Sequence, residues 1–129
     1  MDADGDMDIV IASFNDDTIR WFENNGATNP SWSATSIDTS LDGAKQVEVF
    51  DLDQDGDLDI LANSMNDDKI AWFENNGAAN PSWGSAKIIT TSFDQPHNLF
   101  VGDVDSDGDL DFVASSHICL LYTSPSPRD

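Results

Sequence analysis

The stretch Asp51-Leu52-Asp53-Gln54-Asp55-Gly56-Asp57-Leu58-Asp59 sets a carboxylate at every second position around a single glycine. It recurs as Asp103-Val104-Asp105-Ser106-Asp107-Gly108-Asp109-Leu110-Asp111 and, lacking its first position, as Asp2-Ala3-Asp4-Gly5-Asp6-Met7-Asp8. Oxygen donors in this alternation suit a hard cation such as Ca²⁺. With Asp51 as position 1, the side chains of Asp51, Asp53 and Asp55 are candidate ligands at positions 1, 3 and 5. Gly56 makes the sharp turn, Asp57 offers its backbone carbonyl at position 7, and Asp59 closes the site at position 9. Asp103, Asp105, Asp107, Asp109 and Asp111 repeat these roles around Gly108. Asp2, Asp4, Asp6 and Asp8 form a remnant without position 1, expected to bind poorly. An EF-hand would add a bidentate Glu at position 12 and run into a helix; position 12 here is Ala62 or Ala114, inside an apolar run. Without that ligand the affinity expected is weak, on the order of 10⁻⁴ to 10⁻³ M, as in extracellular modules.

The loops punctuate a longer repeat of 51 to 52 residues. Asn15-Asp16-Asp17 returns as Asn66-Asp67-Asp68, Trp21-Phe22-Glu23-Asn24-Asn25-Gly26-Ala27 as Trp72-Phe73-Glu74-Asn75-Asn76-Gly77-Ala78, and Asn29-Pro30-Ser31-Trp32 as Asn80-Pro81-Ser82-Trp83. A period of this size points to a solenoid, a propeller or another array, whose unit cannot bury its apolar face alone. Within one period, strands are expected at Val47–Phe50, Ile60–Asn63, Lys69–Glu74 and about Ala86–Thr90, separated by the acidic loop, the Asn-Asp-Asp turn and the Asn-Gly and Asn-Pro turns. Four strands in about 50 residues, with no helical period, match one propeller blade. Ile70 and Trp72 alternate with Ala71 and Phe73, so that strand is apolar on both faces; Ile60-Leu61-Ala62, Ile9-Val10-Ile11-Ala12 and Phe112-Val113-Ala114 are unbroken apolar runs. A sheet sandwiched between neighbours reads this way.

The alternating aspartates, the apolar strand after them and the Asn-Asp-Asp and Trp-Phe-Glu-Asn-Asn-Gly segments resemble FG-GAP-like repeats, also called VCBS repeats, over Met1 to about Ile118. That family forms the calcium-loop blades of integrin-type propellers. The Phe-Gly and Gly-Ala-Pro pairs that named it are absent, which places the resemblance with the FG-GAP-like branch. The resemblance implies an all-β fold, a fragment of a β-propeller holding about two and a half four-stranded blades of a seven-bladed parent. Residues 1–46 would be the C-terminal part of a first blade, 47–98 a complete blade and 99–118 the start of a third. Met1 falls inside an acidic loop and is read as an internal residue or a false start. Residues 119–129 break the repeat, look like translated sequencing adapter and are set aside as a non-native tail. The only Cys, Cys119, and the only Tyr, Tyr122, fall within that tail. A cysteine-free remainder fits an extracellular protein braced by metal instead of disulfides.

Formal net charge is −20, from 25 acidic and 5 basic residues, and 14 of the acids sit in the three loops. The acidity is therefore local ligand supply and not a disordered tail. No basic stripe exists to neutralise phosphates, which argues against nucleic acid as partner, and no run is apolar enough to span a bilayer. Trp21 and Trp72, mid-strand, are expected to pack between blades; Trp32 and Trp83, after an Asn-Pro turn, are also assigned to packing, with sugar stacking as the competing use. His97 and His117 stand alone in sequence and do not recur, so no zinc cluster is expected. No catalytic arrangement separates from the loop aspartates. The expectation is a non-enzymatic, calcium-stabilised scaffold of a secreted or cell-surface protein, binding a protein or glycan ligand and completed by the remaining blades of its parent. The alternative is a propeller module of an extracellular carbohydrate-active enzyme, a polysaccharide lyase or hydrolase, or a carbohydrate-binding propeller.

Overall fold

A computed structural model describes residues 1–117 and the strand at 121–124. Ten strands make up the described residues, in three antiparallel sheets. The first sheet holds β1 (Ile9–Ser13), β2 (Thr18–Asn24) and β3 (Trp32–Asp38) in that order. The second holds β4 (Ala44–Phe50), β5 (Asp59–Ser64), β6 (Lys69–Phe73) and β7 (Lys87–Thr90), each paired with the next. The third holds β8 (Pro96–Gly102), β9 (Asp111–Ser116) and β10 (Leu121–Ser124), with β9 in the middle. This is an all-β propeller fragment of two and a half four-stranded blades. The middle sheet is the complete blade, running from Ala44 to Thr90, and the third sheet opens at Pro96.

The repeat extends to irregularities of register. A bulge interrupts β4 between Ala44 and Gln46 and β8 between Pro96 and Asn98; another separates Ile19 from Arg20 in β2 and Ile70 from Ala71 in β6. Each pair lies one repeat apart, so the bends are part of the blade and not accidents of one copy.

Burial follows the two-faced reading of the strands. Ile60, Ala62, Ala71 and Phe73 of the middle blade pack with Ile19, Leu41 and Ala44 against the first blade. From the opposite face, Leu61 and Ile70 pack with Leu99, Val101, Phe112 and Ala114 of the third. Every residue of β5 is buried, while β3 is exposed along most of its length and β7 along half, so the core lies in the inner and middle strands. Burying one such aliphatic or aromatic side chain stabilises by about 1.5–3 kcal/mol, which makes the contacts between blades the main apolar term.

Polar bonds fix the stacking order. The Gln46 side chain on β4 donates from Nε2 to the Leu99 carbonyl at 2.9 Å and accepts from the Leu99 N–H at 3.0 Å, so one amide group joins two innermost strands. At the end of the blades opposite the acidic loops, Asp17 Oδ1 accepts from Gly43 N at 2.8 Å while the Gly43 carbonyl accepts from Met65 N at 3.0 Å. One repeat on, Asp68 Oδ1 accepts from Gln95 N at 2.9 Å and the Gln95 carbonyl accepts from His117 N at 3.1 Å. The Asn-Asp-Asp turns thus hold the chain where it crosses from one blade to the next.

Part of the segment set aside on sequence grounds pairs with the third sheet. Leu121–Ser124 pairs antiparallel with Phe112–Ser115 as β10, because a sheet edge presents unpaired backbone groups that any extended segment can satisfy. The rest of 119–129 lies outside the described residues.

Candidate metal centres

The acidic loops join the innermost strand of a blade to its neighbour, β4 to β5 and β8 to β9, and their local geometry repeats. Gly56 and Gly108 adopt φ of +100° and +95°, conformations closed to side chains without strain, and Gln54 and Ser106 two residues earlier are also left-handed at +60° and +65°. Within each loop the carboxylates accept from the loop's own amides. Asp51 takes Asp55 N on Oδ1 at 3.0 Å and Gly56 N on Oδ2 at 3.1 Å; Asp53 takes Asp55 N at 3.3 Å, and Asp55 takes Asp57 N at 2.9 Å. Asp103, Asp105 and Asp107 make the same set with Asp107 N, Gly108 N and Asp109 N. These bonds wrap the backbone around the carboxylates and hold them on the concave side of the turn.

The outcome is two clusters. Ligand oxygens of Asp51, Asp53 and Asp55 lie within 4.8 Å of one another, and so do those of Asp103, Asp105 and Asp111. Burial, followed by the charge of Asp55, pushes the Asp53 carboxyl above the usual range. Asp105 is raised as well, by desolvation first and then by Asp107, Asp111 and Asp103. The two loops also touch: Gln54 Nε2 donates to the Gly108 carbonyl at 3.1 Å and to Asp109 Oδ1 at 3.0 Å.

The remaining sequence-predicted residues are placed differently. Asp59 is fully buried and accepts from Asn75 N at 2.8 Å and Leu52 N at 3.3 Å. Burial drives its pKa up to about 6 despite the Asn75 amide, with Asp53 adding to the rise. The Trp72 indole N–H is near enough to the Asp59 carboxylate to favour its charged form, although it closes no hydrogen bond of ordinary geometry. The Asp57 carboxylate packs against the Asn-Asn-Gly turn, so close that a Cβ on Gly77 would lie 2.0 Å from Oδ2; Asp6 stands in the same relation to Gly26. In the first loop Asp8 Oδ1 accepts from Asn24 N at 2.9 Å, as Asp59 does from Asn75 N. Asp4 Oδ1 accepts from Asp6 N at 2.9 Å as its repeat equivalents do.

Sequence reading passed over Asn24 and Asn75, treating them only as turn formers. Asn75 donates from Nδ2 to the Leu58 carbonyl at 3.1 Å and accepts from Gly77 N at 3.1 Å, which ties the β6–β7 turn to the acidic loop. Asn24 does the same with the Met7 carbonyl at 3.2 Å and Gly26 N at 3.0 Å. Their recurrence at a fixed distance after each loop was the available signal.

The FG-GAP-like repeat model matches residues 1–62 and again 51–114, so each match runs from one acidic loop into the next. The chain belongs to the FG-GAP-like repeat family. No curated protein and no solved structure shows a significant match to it. Among the described residues, no helix is long and apolar enough to cross a membrane.

In these FG-GAP-like blades the tryptophans divide. Trp21 is buried and meets the Trp83 ring edge-on, with centroids 6.5 Å apart, across the contact between the first and middle blades. Trp72 is half-buried beside the third blade, with Lys87 Nζ 4.1 Å from its ring centre. Trp32, the repeat equivalent of Trp83, is 42% exposed among the described residues. His97 and His117, isolated in sequence, are brought together with ring centroids 6.1 Å apart.

Proposed function

We propose that this chain is a calcium-stabilised propeller module of a secreted or cell-surface protein, a non-enzymatic scaffold whose exposed faces bind a protein or glycan ligand. The observation that carries the reading is the convergence of ligand oxygens from Asp51, Asp53 and Asp55 in one loop and Asp103, Asp105 and Asp111 in the next. The donors are all oxygen, and each loop's backbone amides already orient its carboxylates, a set that fits a hard divalent cation. A bound Ca²⁺ would supply the positive charge that these crowded carboxylates lack. The protein's own part is structural: Asp51 and Asp103 organise the turn, while Asp59 and Asp111 anchor its end to the following strand. Because the ligands sit between the two innermost strands of a blade, ion binding by the folded form alone stabilises that form through linkage.

Two features support a binding role over catalysis. The clustered carboxylates are engaged with the amides of their own loops, which is the arrangement of a ligand cage and not of an acid and base flanking a substrate. Trp21 and Trp83 meet between two blades and Trp72 sits beside the third, so these rings build the contacts of the scaffold. The millimolar affinity expected of loops lacking a position-12 Glu suits calcium levels outside cells.

Tryptophan-sensitised terbium luminescence tests the reading. Emission should rise saturably and be displaced by Ca²⁺ in roughly the 0.1–10 mM range. Absence of saturable emission, or emission untouched by Ca²⁺, rejects calcium as the resident ion.

A further inference from the structure

His97 and His117 lie at the far end of the third blade from its acidic loop, one at the start of β8 and the other just past the end of β9. Two backbone devices bring them together. His97 is the extra residue of the bulge between Pro96 and Asn98, and a bulge re-aims the side chain it carries. His117 is anchored by its own N–H, which donates to the Gln95 carbonyl at 3.1 Å. Gln95 is held in turn by Asp68 of the middle blade. The rings end with centroids 6.1 Å apart and planes inclined by 32°.

That spacing is informative for metal chemistry. Metal–nitrogen bonds of about 2.0–2.1 Å set two imidazole centroids about 5–6.5 Å apart around one ion, for ligand angles from tetrahedral to linear. We propose that His97 and His117 form a two-histidine site for a first-row divalent cation of the Zn²⁺ or Cu²⁺ class, separate from the carboxylate loops. Imidazole nitrogen favours these ions over Ca²⁺, so the two ends of the blade select different metals. His97 is half-buried and His117 exposed, leaving the other coordination positions to water or to a ligand from outside.

The middle blade supplies a control. It carries the same bulge between Ala44 and Gln46 and the same backbone bond, Met65 N to the Gly43 carbonyl at 3.0 Å, but the equivalent side chains are Lys45 and Met65. The backbone that pairs the positions is therefore a property of the repeat, and only the third blade furnishes nitrogen donors.

The test is calorimetric titration of the full chain, carrying Cys119→Ser to remove the thiol, with ZnCl₂ in millimolar CaCl₂ to engage the carboxylate loops. One Zn²⁺ per chain should bind, Cu²⁺ more tightly than Zn²⁺. His97→Asn and His117→Asn should each weaken uptake by about tenfold or more. Installing Lys45→His together with Met65→His should add a second equivalent. The proposal is overturned if the starting chain takes up no Zn²⁺, or if the double His97→Asn, His117→Asn variant, with an unchanged circular dichroism spectrum, binds as before.

Discussion

Asp59 and Asp111 hold the same place in two loops of identical spacing, yet they do different things. Asp59 is fully buried, with both oxygens taken by the Asn75 and Leu52 amides, and its pKa stands at about 6. Asp111 accepts from Val104 N at 3.0 Å and gathers with Asp103 and Asp105, while in the middle blade the position-5 residue Asp55 completes the cluster instead. The difference comes from what arrives next to the loop. In the middle blade the β6–β7 turn delivers Asn75 onto the position-9 carboxylate; the third blade has no counterpart to that turn among the described residues. The position-9 aspartate is thus covered by a turn in the middle blade and grouped with the carboxylates of its own loop in the third.

The sharpest way to break this comparison is pH. A carboxyl whose folded pKa is raised holds its proton more tightly in the folded state, so ion-free stability should be highest below the unfolded value near 3.8 and fall as pH rises towards about 6. The loss attributable to Asp59 is on the order of 2–3 kcal/mol by pH 7. Urea unfolding in EDTA should show that decline, and Asp59→Asn should reduce it. A pH-independent wild-type midpoint would remove the distinction.

Next in size is the covering turn. Asn75→Ala removes the bonds to the Leu58 carbonyl and from Gly77 N, with a longer one to the Met1 carbonyl, at a site 2% exposed and should cost about 2 kcal/mol. Asn24→Ala removes the equivalent bonds at a half-exposed site and should cost about half that. Equal losses in denaturant titrations would mean that burial does not distinguish the two turns.

Calcium resolves the loops individually. At ten times Kd each site should add about 1.4 kcal/mol to stability. Asp51→Ala and Asp103→Ala should therefore each abolish one of two increments, read as the calcium-induced rise in melting temperature. If either substitution removes the whole response, the loops are coupled, and the Gln54 bridge to Gly108 and Asp109 is the place to look.

The smallest effect compares two glycines. At Gly77 a methyl would meet Asp57 Oδ2 at 2.0 Å on top of a φ of +66°, whereas at Gly108 nothing lies within 4 Å and only the φ of +95° resists it. Gly77→Ala should thus be the more damaging by about 1 kcal/mol in thermal melts, since Gly108→Ala suffers backbone strain alone.

Much of this molecule was legible before any tertiary contact was known. The four strands of the middle blade lie where alternation and turn residues placed them, and the double apolar face of Ile70 to Phe73 does pack against a blade on either side. The partners of the tryptophans and histidines escaped the same logic. Trp21 and Trp83 meet from different blades, and His97 and His117 are twenty positions apart in a chain that folds them back across one hairpin. Neither fact has a local signature.

Sequence alone settled what depends on short range: the alternating carboxylates, the left-handed glycines that turn each loop, the period and the strand faces. Those follow from steric limits on a few consecutive residues and from solvent-averse side chains recurring in register. Which oxygen belongs to a cluster, which aspartate is buried with a raised pKa and which imidazoles meet was decided only by stacking one blade on the next. Desolvation and cross-strand approach are properties of neighbours brought from distant positions, and nonapeptides that share every aspartate and the glycine acquire different chemistry when their neighbours differ.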